Sequence, residues 1–184
     1  MTIRPRTVPQ RSTIDLAYAQ PGDRVYVHST KLLSRLIQGA QWLRWRAGSK
    51  WNHMFILVSP IMTSPTTTVD WTIIQAAGKG VSYATYSSAA AGNEVAIVSA
   101  SDLEREKVVE FMMGQVGVKY GFLTIVAIAV NLYTPSFIHI DFRKDGTWIC
   151  SAVANEASRF GGLIRQWRNI YGVSPAESWI AEDT

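Results

Sequence analysis

Four short apolar segments follow one another between His53 and Ser99, and they constrain the fold more than any other feature of the chain. They are His53–Ser59, Trp71–Ala76, Val81–Tyr86 and Glu94–Ser99. A loop rich in Pro, Ser and Thr, Pro60 to about Thr68, separates the first two; Gly78-Lys79-Gly80 forms a turn, and Ala89–Asn93 a small-residue loop. Links this short favour strands that return beside one another, so the sheet is expected to be antiparallel. Upstream, the turn Pro21-Gly22-Asp23 leads into the alternating Arg24–His28, a further strand. Leu32, Leu33, Leu36, Ile37, Ala40 and Leu43 recur at helical spacing to about Trp45, and Gly48 closes that helix. Ser101-Asp102-Leu103-Glu104 reads as a capping box. It opens a helix with Leu103, Val108, Phe111, Met112 and Val116 inward, ending at Gly117. Ser174-Pro175-Ala176-Glu177 repeats the capping logic, with proline at the first helical position. The expected class is α+β: an antiparallel sheet or half-barrel of about five strands with helices packed on it.

The 184 residues suit one domain with a real core, and an apolar content of 47% excludes disorder in bulk. Residues 1–20, with Arg4, Arg6, Arg11, Pro5 and Pro9, read as a polar arm, and 21–184 as the single domain. The arm has no apolar core of a signal peptide, so synthesis in the cytoplasm is expected, with later delivery to the envelope left open. The formal charge of +4 permits an anionic cell-wall or membrane surface as partner; nucleic acid is not the expected one. Trp42, Arg44, Trp45, Arg46, Lys50 and Trp51 interleave as in an amphipathic helix with packed tryptophans and solvated cations. The run Phe122–Val130 is apolar but too short for a bilayer, which needs ~20 such residues. It reads as a buried helix; the alternative is a segment that dips into a membrane surface or lines an acyl site.

The only cysteine lies in Asp145-Gly146-Thr147-Trp148-Ile149-Cys150-Ser151. Asp-Gly signals a turn, Thr147 can cap a helix from Trp148 to about Phe160, and Gly161-Gly162 stops it. Cys150 then falls in the first helical turn, where unpaired N–H groups and the helix dipole favour a thiolate. A lone cysteine in an apolar helix is more commonly a small core residue, so this stretch alone decides nothing. One cysteine excludes an internal disulfide and a cysteine-based metal cluster; neither metal nor cofactor is expected.

A cysteine nucleophile needs a base, and the base needs an orienting partner. Of the three histidines, His28 ends a strand, His139 lies in an irregular stretch, and His53 begins an apolar strand. If 53–59 and 71–76 pair as a hairpin with Ser59 facing Val69, His53 faces Gln75 with no bulge. Opposed side chains share a face. Gln75 is the odd polar residue in Ile73-Ile74-Gln75-Ala76-Ala77, and a buried amide requires a partner.

Taken in order, these pieces resemble the circularly permuted NlpC-type, papain-like cysteine hydrolases of the YiiX/YebB-like group. The matching stretches are Pro21–Val25, the Leu32–Trp45 helix, Trp51–Ile56, Ile73–Ala76 with Gly80-Val81, Gly117–Tyr120, Trp148–Val153 and Val173–Ala176. The resemblance implies a permuted papain-like fold with the nucleophile helix near the C-terminus. It implies Cys150 as nucleophile, His53 as general base and Gln75 as the orienter of the histidine. Tyr120 maps onto a tyrosine that borders such sites; Trp51 and Trp148, from the motifs that carry His53 and Cys150, are the other expected substrate contacts. The implied substrate is a peptide or other amide, such as a cell-wall peptide, or an acyl group. This chain departs from the pattern at Gln75, where the group commonly has glutamate, and less so at Asn52. Glutamine can fix an imidazole tautomer but supplies no charge to the imidazolium, so a binding or particle-associated protein with the same fold is the rival expectation.

Overall fold

Each of the expected strands forms, but of the short links only the two tightest join neighbours in the sheet. β1 (Arg24–His28), β2 (His53–Ser64), β3 (Thr67–Ala77), β4 (Gly80–Thr85) and β5 (Glu94–Val98) make one antiparallel sheet in the order β4-β3-β2-β1-β5. The structure, a computed structural model, describes residues 13–30, 35, 38–39, 41, 50–64, 67–100, 103–123, 126, 146–163 and 173–181. The class is α+β, with α1 (Tyr86–Ala90), α2 (Arg105–Gly114), α3 (Cys150–Phe160) and α4 (Pro175–Ala181) beside the sheet. Of the helix expected over 32–45, Arg35, Gln38, Gly39 and Gln41 are helical, and the rest lies outside the described residues, as do Trp42, Arg44, Trp45, Arg46 and His139.

Alternation along the strands divides the apolar residues between two faces. Tyr26, Met54, Ile56, Ile74, Ala76 and Val98 form one core with Val153, Ala154 and Ala157 of α3 and Val108 and Met112 of α2. Val25, Val27, Phe55, Leu57, Trp71, Ile73 and Ile97 form a second, flanked by Tyr86 and Ala89 of α1 and by Ile14, Leu16 and Ala19. Those last three belong to the stretch assigned to the polar arm; in the fold they pack on the sheet. Each large side chain taken fully from water contributes about 1.5–3 kcal/mol, so the two cores dominate stability.

Several boundaries differ from expectation, each for a tertiary reason. Pro60 lies inside β2 rather than opening a loop. The β1 ladder pairs with β2 only as far as Ile56, so beyond it β2 has β3 alone as neighbour, and a missing N–H is tolerated there. Helix α2 begins at Arg105 with Glu104 in the capping position and no side-chain cap, and it ends at Gly114; Val116 is exposed, and Ser101 and Asp102 lie outside the described residues. The Ser174 cap does form: the N–H of Glu177 donates to Ser174 Oγ at 3.1 Å. The Pro21-Gly22-Asp23 turn is a structural clamp. Asp23, fully buried, accepts from Arg105 Nη1 (2.5 Å) and from the N–H groups of Ala100 and Gln20 (2.8 Å each).

A small parallel pair, β6 (Lys119–Tyr120) with β7 (Thr147–Trp148), was not expected. It attaches to the sheet at Gly80. The N–H of Val81 donates to Val118 O at 2.8 Å, and that of Gly117 to Val81 O at 2.9 Å. Gly80 has φ +115°, and a Cβ there would sit 2.5 Å from Val118 O, so both conformation and space require glycine.

Candidate active site

Cys150 is the first residue of α3, which starts two residues later than a Thr147 cap would have started it. Thr147 and Trp148 are held instead as β7 against Lys119 and Tyr120, so the helix starts only after Ile149. Ile149 has no side-chain oxygen to cap the first turn. The Cys150 sulfur accepts instead, from the N–H of Ser151 and from the N–H of Met54 in β2.

His53 is the first residue of β2. It carries the parity of Phe55 and Leu57, and its ring lies 6.2 Å from that of Phe55. The imidazole therefore belongs to the sheet face opposite the one that packs on α3. The helix start and the strand start meet at the rim of the sheet, and there the imidazole hydrogen-bonds the Cys150 sulfur. Its Nε2 is 2.7 Å from Gln75 Oε1. An amide oxygen can only accept, so Nε2 carries the proton. That fixes the tautomer and leaves Nδ1 for the thiol.

The hairpin reaches this contact by a different register from the one expected. Ile56 pairs with Ile74 and Leu57 with Ile73, and three irregularities follow, the first between Leu57 and Ser59. Continued to the strand start, this ladder puts Ala77 opposite His53 and Gln75 opposite Phe55. His53 and Gln75 are therefore diagonal neighbours rather than direct partners. Diagonal Cα atoms on one face are ~7–8 Å apart, within reach of two long side chains. Gln75 is also in an inner strand, paired to Ser82 of β4, and not at a water-facing edge.

Burial by itself would raise the Cys150 thiol. The charge of His53 outweighs it, together with hydrogen bonds from His53, Met54 and Ser151, and the thiol is held below its ordinary value. Tyr120 is pushed the other way: burial raises its phenol, and the negative charge of Cys150 raises it further. Tyr120 is thus held as a neutral hydroxyl in the neighbourhood of Cys150.

The surroundings fix both reacting groups. Asn52 forms a two-bond clamp on Ser29, accepting from its N–H (3.1 Å) and donating to its carbonyl (2.8 Å). On the helix side, Asn155 Nδ2 donates to Ser151 O at 2.8 Å and its Oδ1 accepts from Ser178 Oγ at 2.9 Å. Ser178 in turn contacts the Tyr26 hydroxyl at 3.0 Å, which ties α3 to α4 and β1. Trp148 donates from Nε1 to Gln115 Oε1 at 2.7 Å and meets Phe111 edge-on. Trp51 has a different place from the one expected. It is 2% exposed and packs with Tyr26 and Trp179, its ring 4.9 Å from that of Trp179, so it is a core residue.

The first-turn N–H groups were legible at Cys150, whereas the Met54 N–H leaves no mark on residue type. Gln115 and Asn155 were passed over as well. Asn155 had a usable signal: it is the one amide in the apolar Cys150–Ala157 stretch. Among the described residues no group of three His, Cys, Asp or Glu side chains is placed to hold a metal, and no helix is long and apolar enough to cross a membrane. No protein-family model matches the chain, and no curated protein matches its sequence.

Proposed function

We propose that the protein is a thiol hydrolase of the permuted NlpC-like, papain-like kind, cleaving an amide or ester bond. The observation that carries this reading is one continuous chain of contacts: a cysteine at a helix start, an imidazole bonded to its sulfur, and an amide oxygen 2.7 Å from the second ring nitrogen. Those are the nucleophile, base and orienter that such chemistry needs. Sγ attacks the substrate carbonyl carbon while its proton resides on His53 Nδ1. The carbonyl oxygen becomes an oxyanion near the N–H groups of the first helical turn. As the tetrahedral adduct collapses, His53 protonates the leaving amine or alcohol, and a thioester forms on Cys150. Water, deprotonated by His53, then cleaves the thioester and restores the thiol. The substrate class is a peptide amide, as in a cell wall, or an acyl ester.

Gln75 supports a second reading, in which the same fold binds its partner and turns over poorly. A neutral orienter gives the imidazolium no countercharge beyond the thiolate itself. One experiment separates the site from a core thiol. Iodoacetamide at pH ~6, well below the ordinary cysteine range of ~8.5, should label the folded protein at Cys150, and His53→Ala should slow labelling at least tenfold with the far-ultraviolet spectrum unchanged. Labelling only after denaturation would remove the nucleophile, and labelling at the same rate in the variant would remove the base. Hydrolysis of model amides and thioesters by the labelled and unlabelled protein then tells turnover from binding.

A further inference from the structure

The outer face of α2 carries a groove that the Cys150 site does not use. It has a volume of about 550 Å³ and is lined by Pro21, Arg105, Glu106, Val109, Glu110 and Met113. Its floor is apolar, with Val109 partly buried and Met113 about half exposed. Its charge is acidic. Arg105 is committed to Asp23, whereas Glu106 and Glu110 face solvent with no ion pair among the described residues. Two like charges four apart on a helix repel each other, by a few tenths of a kcal/mol in isolated helices. Such a pair over an apolar strip fits a short segment with paired cations and apolar residues between them.

This chain contains that segment. Arg4-Pro5-Arg6, followed by Pro9 and Arg11, precedes the first described residue, Thr13. Proline at 5 biases Arg4 toward extended backbone. Side chains two apart on an extended chain are ~6.6 Å apart along it, close to the ~6 Å between Cβ atoms four apart on a helix. The attachment point is also near. The N–H of Ile14 donates to Ile97 O, and two residues on, Ser99 Oγ accepts from Arg105 Nη2 at the groove's edge. Twelve residues span up to ~40 Å. We propose that residues 1–12 dock in the α2 groove of their own molecule, Arg4 and Arg6 over Glu106 and Glu110, and prolines against Val109 and Met113.

The test uses the full chain with isotope-labelled methionine methyls, Met113 assigned through Met113→Leu. A neutral gadolinium chelate reports how exposed the Met113 methyl is. In the wild-type protein relaxation by the chelate should be weak. Arg4→Glu with Arg6→Glu should raise it, as should Glu106→Arg with Glu110→Arg, and the four changes together should restore protection. A melting curve of each variant checks that the fold is intact. An exposed methyl in the wild type, or one indifferent to the reversal, overturns the docking. Protection that disappears on dilution means that the arm docks on a second copy, which overturns the intramolecular form.

Discussion

Replacing Gln75 with glutamate tests the His53–Gln75 contact without removing a group. The carboxylate keeps the shape of the amide and an acceptor at 2.7 Å from Nε2, and adds a charge. A neutral hydrogen bond is worth about 1 kcal/mol net and one to a charged group about 1.5–3 kcal/mol. The difference favours the imidazolium by about 1–2 kcal/mol, and the lower end applies because His53 is partly exposed. One pKa unit corresponds to about 1.4 kcal/mol, so the imidazolium of His53 should persist to a pH higher by about one unit. The thiol step is expected to move little, since glutamate acts on the far nitrogen of the ring. The pair therefore titrates with its upper macroscopic step displaced and its lower step nearly in place. The sign for stability follows. A raised folded-state pKa on histidine gives stability that is complete below the unfolded value of ~6.5 and is lost as pH rises through the folded value. The variant should gain on the wild type by about 1 kcal/mol at pH ~5.5, or 2–4 °C in Tm, and lose that advantage by pH ~9. Imidazole Hε1 shifts followed by NMR, with melting curves at both pH values, read both effects. An upper step that does not move would show that Gln75 does not hold Nε2, and the diagonal packing argument would fail with it.

Two further substitutions address the supports of the site. Gly80→Ala meets both a left-handed φ and a carbonyl oxygen 2.5 Å from the new Cβ. It should cost at least about 2 kcal/mol, a fall of roughly 4–8 °C in Tm, and should alter iodoacetamide labelling of Cys150 because the Val118–Tyr120 segment hangs from Val81. Asn155→Ala removes a fully buried donor and acceptor that join Ser151 to Ser178. It should cost about 1–3 kcal/mol in urea unfolding with the m-value unchanged, whereas a change below 0.5 kcal/mol would mean that the polar chain does not secure α3.

The sheet was legible because its evidence is local. Gly80, the Asp23 turn and the period-two strands are each written in adjacent residues. The site was legible for a related reason. The assumed hairpin register was off by two residues at His53, but side chains repeat every two, so the face it assigned to Gln75 was unchanged. A slip of one would have put the amide on the opposite face. What could not be read depended on partners far along the chain. Trp51 was expected as a substrate contact, yet its neighbours are Tyr26 and Trp179, from a strand and from the last helix. Thr147 looked like a cap, yet Lys119 and Tyr120 draw it into a strand.

The Thr147 error also bears on the chemistry. A helix capped by threonine would have satisfied its leading N–H groups with a hydroxyl oxygen, as such caps do. In the fold the helix begins two residues after Trp148, behind an isoleucine that offers no acceptor. The Ser151 N–H is directed at the Cys150 sulfur, and Met54 adds a second N–H from the sheet rim. The sulfur therefore takes the N–H group that a side-chain cap would otherwise satisfy. It follows that capping and reactivity are linked: an oxygen acceptor placed at Ile149 would compete with the sulfur for the same donors. Ile149→Ser should thus raise the Cys150 thiol toward its ordinary value and slow its labelling at pH ~6, while the loss of a buried isoleucine outweighs the ~1 kcal/mol typical of a cap. A variant with unchanged labelling would show that the helix start contributes nothing to the acidity of the thiol, and that His53 and the Met54 N–H hold it.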